Sequence, residues 1–232
     1  MIQELFQQSG VLITKNQEVL FENFLELFIE KNKQINLSAI RDEKDIMIKH
    51  FIDSLSITSL AQYQQAEKIV DIGSGGGFPG IPLAIYSPEK EFLMNESIDK
   101  KVLSIKYFIH ILGLLNANID SLRAEELGQV STIREQYDIC TARAVAYLPT
   151  LAEYCLPLVK VGGYFIAYKE NNPEEIEASA KAIQILGGYL EKLHFYRLPK
   201  VEKERILIII KKVKETPKEY PRRVGVPSKN PL

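Results

Sequence analysis

Between Asn16 and Lys33, apolar positions Leu20, Phe24, Leu27 and Phe28 recur at i, i+4, i+7 and i+8, while Glu18, Glu22, Glu26 and Glu30 take the other face. That spacing predicts an amphipathic helix. After the loop Asn36–Asp42, Asp42 is placed to N-cap a second helix running through Ile46, Phe51 and Leu55. Residues 1–66 therefore read as a helical cap.

From Glu67 the texture changes to short apolar runs alternating with helical stretches, the pattern of a parallel sheet covered on both faces. Strands are expected at Lys68–Ile72, Glu91–Asn95, Asn118–Leu122, Tyr137–Thr141, Tyr164–Tyr168, Leu193–Leu198 and Arg205–Lys212. Helices are expected at Pro79–Tyr86, Lys100–Leu114, Ala124–Leu127, Leu148–Leu158 and from Asn172-Pro173 to Leu186, the last closed by Gly187-Gly188. The turn before the final strand is too short for a crossover helix, so the last two strands form an antiparallel hairpin on an otherwise parallel sheet. The expected α/β body covers 67–214. The segment 215–232 holds four prolines and many charges, and reads as an extended arm.

Composition narrows the class. With 46% hydrophobic and 25% charged residues in 232 positions, there is apolar material for a substantial core. The longest aliphatic run, Ile206–Ile210, is five residues against the ~20 that span a bilayer. No membrane partner is expected. The opening M-I-Q-E-L-F-Q-Q has no basic and apolar leader pattern, so a cytoplasmic protein is expected. Cys140 and Cys155 lack the spacing of a zinc site or disulfide framework and read as structural thiols. The net charge of −1 argues against a nucleic-acid partner until it is resolved along the chain. Residues 200–232 carry ten basic and four acidic groups, a net of +6, which leaves −7 for the rest.

The chemistry centres on Asp71-Ile-Gly73-Ser-Gly75-Gly-Gly77-Phe78-Pro-Gly80, between the first strand and the first helix of the body. Glycines there permit positive φ and let a ligand lie against the backbone, at the carboxyl ends of the strands. Two ligands compete. Gly75-x-Gly77-x-x-Gly80 satisfies the dinucleotide fingerprint, with Glu96 about twenty residues on, but starts four residues past the strand end. Read from the strand end, D-x-G-x-G-x-G places Asp71 first, with Gly73, Gly75 and Gly77 behind it. A carboxylate there suits the cationic head of S-adenosylmethionine and repels a pyrophosphate.

The glycine loop, with I-N-L-S-A-I-R-D and K-H-F-I-D-S-L before it and T-A-R-A, Y-K-E and Y-P-R-R-V-G-V-P-S-K-N-P-L after it, resembles the ribosomal RNA small-subunit methyltransferase G family, also known as glucose-inhibited division protein B. The match spans nearly the whole chain. It implies a Rossmann-like class I methyltransferase fold and S-adenosylmethionine-dependent methylation of a guanine N7 in the 530 loop of 16S rRNA, free or within a 30S subunit precursor, by a monomer. By this resemblance Gly73 and Phe78 belong to the cofactor site, Glu96 accepts from the ribose hydroxyls, Ala124 and Glu125 border the adenine, and Arg143 completes the site. Lys169 of Y-K-E joins the substrate side. Two departures are visible: N-E-S where the family more often has an aspartate, and Y-K-E without the glycine that usually follows the lysine.

Guanine N7 bears a lone pair and no proton, so its methylation needs alignment rather than a general base, and no catalytic base is nominated. His50 and Asp53, three apart on one helical face, either position the nucleotide or brace the cap. His110 and His194 read as structural. Arg222 and Arg223 are candidates for RNA contact within an arm too poor in apolar residues to fold alone, the alternative being a solvated tail. Two other functions compete with the RNA methyltransferase: methylation of protein or a small molecule, which the absence of a polar-Pro-Pro-aromatic motif after the fourth strand disfavours, and non-catalytic ribosome assembly.

Overall fold

The computed structural model describes residues 2–232. Seven strands, β1 (Lys68–Ile72), β2 (Glu91–Asn95), β3 (Ala117–Asp120), β4 (Tyr137–Arg143), β5 (Val159–Glu170), β6 (Gly188–Tyr196) and β7 (Arg205–Lys212), form one sheet in the order β3-β2-β1-β4-β5-β7-β6. The first five run parallel, and β7 lies antiparallel between β5 and β6. The unbroken Ile206–Ile210 run follows from that central position, because a strand covered on both faces has no polar side to alternate with. The expected seven-stranded α/β class with its final hairpin is the fold observed.

The cap consists of α1 (Ile2–Gln8), α2 (Lys15–Ile35), α3 (Glu43–Ile46), α4 (Asp53–Leu55) and α5 (Ala61–Gln65). Thr14 starts α2 with a capping box to Gln17, and Asn36 ends it in the left-handed region. The expected second helix is not regular. A π turn, Met47–Ile52, links α3 to α4, and the widened turn carries His50. α1 was not foreseen.

The body helices are α6 (Gly80–Tyr86), α7 (Asp99–Ile111), α8 (Ala124–Leu127), α9 (Leu148–Cys155) and α10 (Pro173–Ile185). One apolar cluster, containing Ile69, Ile81, Met94 and Ile209, fills the sheet face toward the cap and continues into it without a break. Phe24 of α2 stacks on Phe51 at 5.2 Å and lies 5.4 Å from Phe108 of α7 and 5.5 Å from Phe78 of the glycine loop. The loop is thus anchored in the aromatic core of the cap. A second cluster, with Val70, Ile72, Leu151 and Phe165, fills the opposite face beneath α9 and α10.

The C-terminal segment departs from the extended arm expected of it. It follows α8 and α9 across the body and ends in a short helix, α11 (Val226–Lys229), with Thr216, Pro221 and Pro227 buried. Arg134 holds it by donating to the carbonyls of Thr216, Pro217 and Tyr220.

Candidate cofactor site

Parallel strands order their carboxyl ends along one edge, and the chain turns back there over a hollow. A cavity of about 380 Å³ opens at the ends of β1, β2, β3 and β4, where Gly73, Glu96, Ala124 and Val145 contribute to its wall. Two hollows of about 460 Å³ flank Leu115 beyond α7, and the glycine loop reaches neither. Backbone shape and chemistry, not size, single out the smaller one.

Gly73 has φ +69°, and a Cβ on it would lie 2.5 Å from a methyl of Val145. Only glycine lets β1 turn at that point and keeps the β1 and β4 ends in contact. Glu96 leaves β2 almost buried. Its Oε2 accepts from the Gly75 N–H at 3.0 Å, its Oε1 from the Ile98 N–H at 3.0 Å, and Lys101 Nζ stands 3.9 Å away. Each carboxylate oxygen retains a lone pair for a hydroxyl donor. The bond from Gly75 also decides between the two readings of the loop. In a dinucleotide site that N–H would face a pyrophosphate, whereas here it faces a carboxylate that would repel one.

Asp71, expected in the cofactor site, lies behind it. Its carboxylate does not open onto the cavity: Oδ2 accepts from the Gly80 N–H and Oδ1 from the Thr141 hydroxyl, both at 3.2 Å. Side chains alternate along a strand, so Asp71 shares the cap-side face with Ile69, and Thr141 is its neighbour in register on β4. Burial pushes its carboxyl up to about 6, against the pull of those hydrogen bonds. It shapes the turn into α6 from behind. Gly77 lies in the same turn, with φ +94° and no room for a Cβ beside Ile81.

Arg143 ends β4 but also turns away from the cavity, into the cap. Its Nη1 meets Asp53 Oδ2 at 2.7 Å, its Nη2 lies 3.4 Å from His50 Nδ1, and the guanidinium sits 5.4 Å from the centre of the Phe78 ring. Tyr196 donates to Asp53 Oδ1 at 2.7 Å. His50 stacks on Phe78 at 4.6 Å and contacts Ser38 Oγ at 2.8 Å through Nε2. With an arginine facing Nδ1, the proton belongs on Nε2. Of the two roles open to His50 and Asp53, bracing the cap against the glycine loop is the one this geometry fits. Burial, and then Arg143, lower the His50 imidazole to about 3. Unfolding restores an ordinary histidine, so acidification below about pH 6.5 favours the unfolded chain through this group until the folded imidazole titrates. An NMR titration is expected to show the His50 ring neutral down to pH 5, and a midpoint near 6.5 would contradict the network.

Ala124 lies on the cavity wall, but Glu125 faces the C-terminal segment, accepting from the Gly225 N–H at 2.9 Å. Lys169 is committed to Glu175 and to the Ala146 carbonyl, where Glu175 also accepts from the Leu148 N–H. Arg222 forks onto Glu153, and Arg223 is exposed. Sequence reading missed Arg123, Tyr154 and Ser228, which also line the cavity. Only the position of Arg123 beside Ala124 offered a signal.

A family model described as GidB: rRNA small subunit methyltransferase G matches residues 17–206. The chain belongs to the rRNA small subunit methyltransferase G family. It is 44% identical over 221 residues to the ribosomal RNA small subunit methyltransferase G of Desulforamulus reducens, covering 95% of this chain and 92% of that one. Its identity to the Bacillus subtilis protein of the same name is 40% over 226 residues, covering 97% and 95%. Among solved structures, M. jannaschii TYW2 in complex with AdoMet superposes with a TM-score of 0.51 at 15% identity, covering 63% of this chain and 69% of that one. That likeness concerns the fold, and membership of the methyltransferase G family agrees with the fold expected from sequence. Among the described residues no helix is long and apolar enough to cross a membrane.

Proposed function

We propose that the chain transfers a methyl group from S-adenosylmethionine to N7 of a guanine in the 530 loop of 16S rRNA, as a cytoplasmic monomer acting on the rRNA itself or on a 30S subunit precursor. The observation that carries this reading is the cavity at the strand ends, with a glycine backbone on one side and the carboxylate of Glu96 on the other. Backbone at Gly73 and Gly75 borders the amino-acid end, the Glu96 oxygens accept from ribose hydroxyls, and Arg123 and Ala124 border the adenine. S-adenosylmethionine supplies an electrophilic methyl on a sulfonium. The protein's part is to hold N7 in line with it, since N7 has no proton to remove. Phe78, pinned between Phe24, Phe28 and His50, keeps the loop rigid for that alignment. Arg223 and the cap residues Arg41 and Lys44 are exposed and suited to phosphate contact, whereas Arg222 and Lys169 are paired within the protein.

Nucleoside mass spectrometry of rRNA from cells with and without the protein tests the reaction, and loss of one 7-methylguanosine is expected. Replacing Glu96 with alanine is expected to weaken S-adenosylhomocysteine binding by about 1–3 kcal/mol in calorimetry, the worth of hydrogen bonds to a charged acceptor. Unchanged affinity would remove Glu96 from the site.

A further inference from the structure

The wall of the cavity facing Ala124 is not made by the α/β body alone. Ser228, from a segment a hundred residues further along the chain, completes it together with Tyr154 of α9. Two consecutive residues of α8 divide the work: Ala124 faces the cavity, while the buried Glu125 accepts from the Gly225 N–H at 2.9 Å and holds the turn that presents Ser228.

The segment is fixed on both sides of that turn. Upstream, Pro221 packs over Gly128, where a Cβ would come within 2.5 Å of the proline ring, and Gln129 donates to the Pro221 carbonyl at 2.8 Å. Downstream, Thr150 donates to the Pro227 carbonyl at 3.0 Å, and within the segment itself Arg222 Nη2 reaches the Asn230 carbonyl at 2.8 Å. Apart from the two prolines, these contacts are polar. The strongest tie is Arg222, which forks onto the buried Glu153, whereas the turn beyond it rests on single hydrogen bonds at Gly225 and Pro227; a turn held that way, with little apolar burial, opens at lower cost than the core, so its docking can respond to a ligand.

We propose that Pro221–Asn230 is a docked strap that completes the adenine end of the cofactor site, with Glu125 as the positioning residue that latches it. This rests on the reading of the cavity as an S-adenosylmethionine site. A ligand that touches the strap binds only the docked state fully, so by linkage it also holds the strap down. The role of Glu125 is then exerted through Gly225 and Ser228 rather than by touching the adenine.

Hydrogen exchange of the full-length protein, with and without saturating S-adenosylhomocysteine, tests this. Exchange across 222–230 is expected to slow severalfold on binding. Glu125→Ala is expected to weaken binding about tenfold, the scale of one charge-assisted hydrogen bond, and to speed strap exchange in the free protein. Glu125→Gln, which keeps an acceptor for the Gly225 N–H, is expected to restore both. Binding of S-adenosylhomocysteine to wild type without any change in strap exchange would overturn the strap alone, whatever the variants do. Absence of binding heat with wild type would overturn the cofactor reading and the strap with it.

Discussion

Replacing Arg143 with alanine is expected to cost about 3–5 kcal/mol of unfolding free energy, the range for breaking a buried ion pair by removing one partner. The substitution strands Asp53, which is 2% exposed and keeps only the Tyr196 hydroxyl as a close side-chain donor. It also removes the guanidinium beside Phe78 and the donor facing His50 Nδ1. For a chain of this length the unfolding midpoint would fall by roughly 6–20 °C, read by thermal melting. Pairing Arg143→Met with Asp53→Asn, which removes both charges, is expected to recover much of the loss, because the cost lies in the stranded carboxylate rather than in the missing attraction. A single variant melting like wild type would mean that water screens the pair. Because Phe78 and Gly73 share one loop, the variant is also expected to bind cofactor more weakly, although Arg143 does not line the cavity.

That consequence marks the boundary of what could be read from residues alone. β1, β2 and β7 were legible to the residue because strands covered on both faces are continuous apolar runs. β6 begins five residues before the run its sequence pattern marks: Tyr189, Leu190, Glu191 and Lys192 lie on an exposed edge strand, where no burial pattern is imposed. The first half of β5 contains Lys160, Val161 and two glycines, and reads as a loop until β4 is seen beside it. In α1, Ile2, Leu5 and Phe6 do follow helical spacing, but one turn of it is too short to stand out. The candidate cofactor site is legible in sequence where its walls are local, in the glycine loop and the acid at the end of β2. It was illegible where they are distant. Asp53 and Arg143 meet across ninety residues and Glu125 and Gly225 across a hundred, and neither charge nor spacing announces such a pair. The direction of Asp71 was within reach, since strand alternation puts it on the side of Ile69.

Charge counting met the same limit in the C-terminal segment. Arg222 and Arg223 are neighbours of equal charge, yet their alanine variants are expected to differ in kind. The Glu153 carboxylate is fully buried and accepts from Arg222 at Nε and Nη2, with only the Arg222 backbone N–H as a further close donor. Arg222→Ala leaves that charge without its cation and is expected to cost about 3 kcal/mol in urea unfolding, near the lower end for a broken buried pair because the backbone donor survives. Arg223 is exposed, and Arg223→Ala is expected to change stability by no more than about 0.5 kcal/mol. On RNA the order reverses. Neutralising Arg223 is expected to lower the salt slope of binding by about one, while Arg222→Ala leaves the slope of the folded protein unchanged, because its charge is already spent on Glu153. Equal slopes for wild type and Arg223→Ala would take the segment off the RNA surface. A full-stability Arg222→Ala protein would mean that Glu153 finds another partner. The +6 of the terminal thirty-three residues is therefore not +6 of available charge: Arg222 is held by Glu153 and Lys212 lies fully buried against Glu135 and Thr216, so RNA can draw only on those cations that remain at the surface.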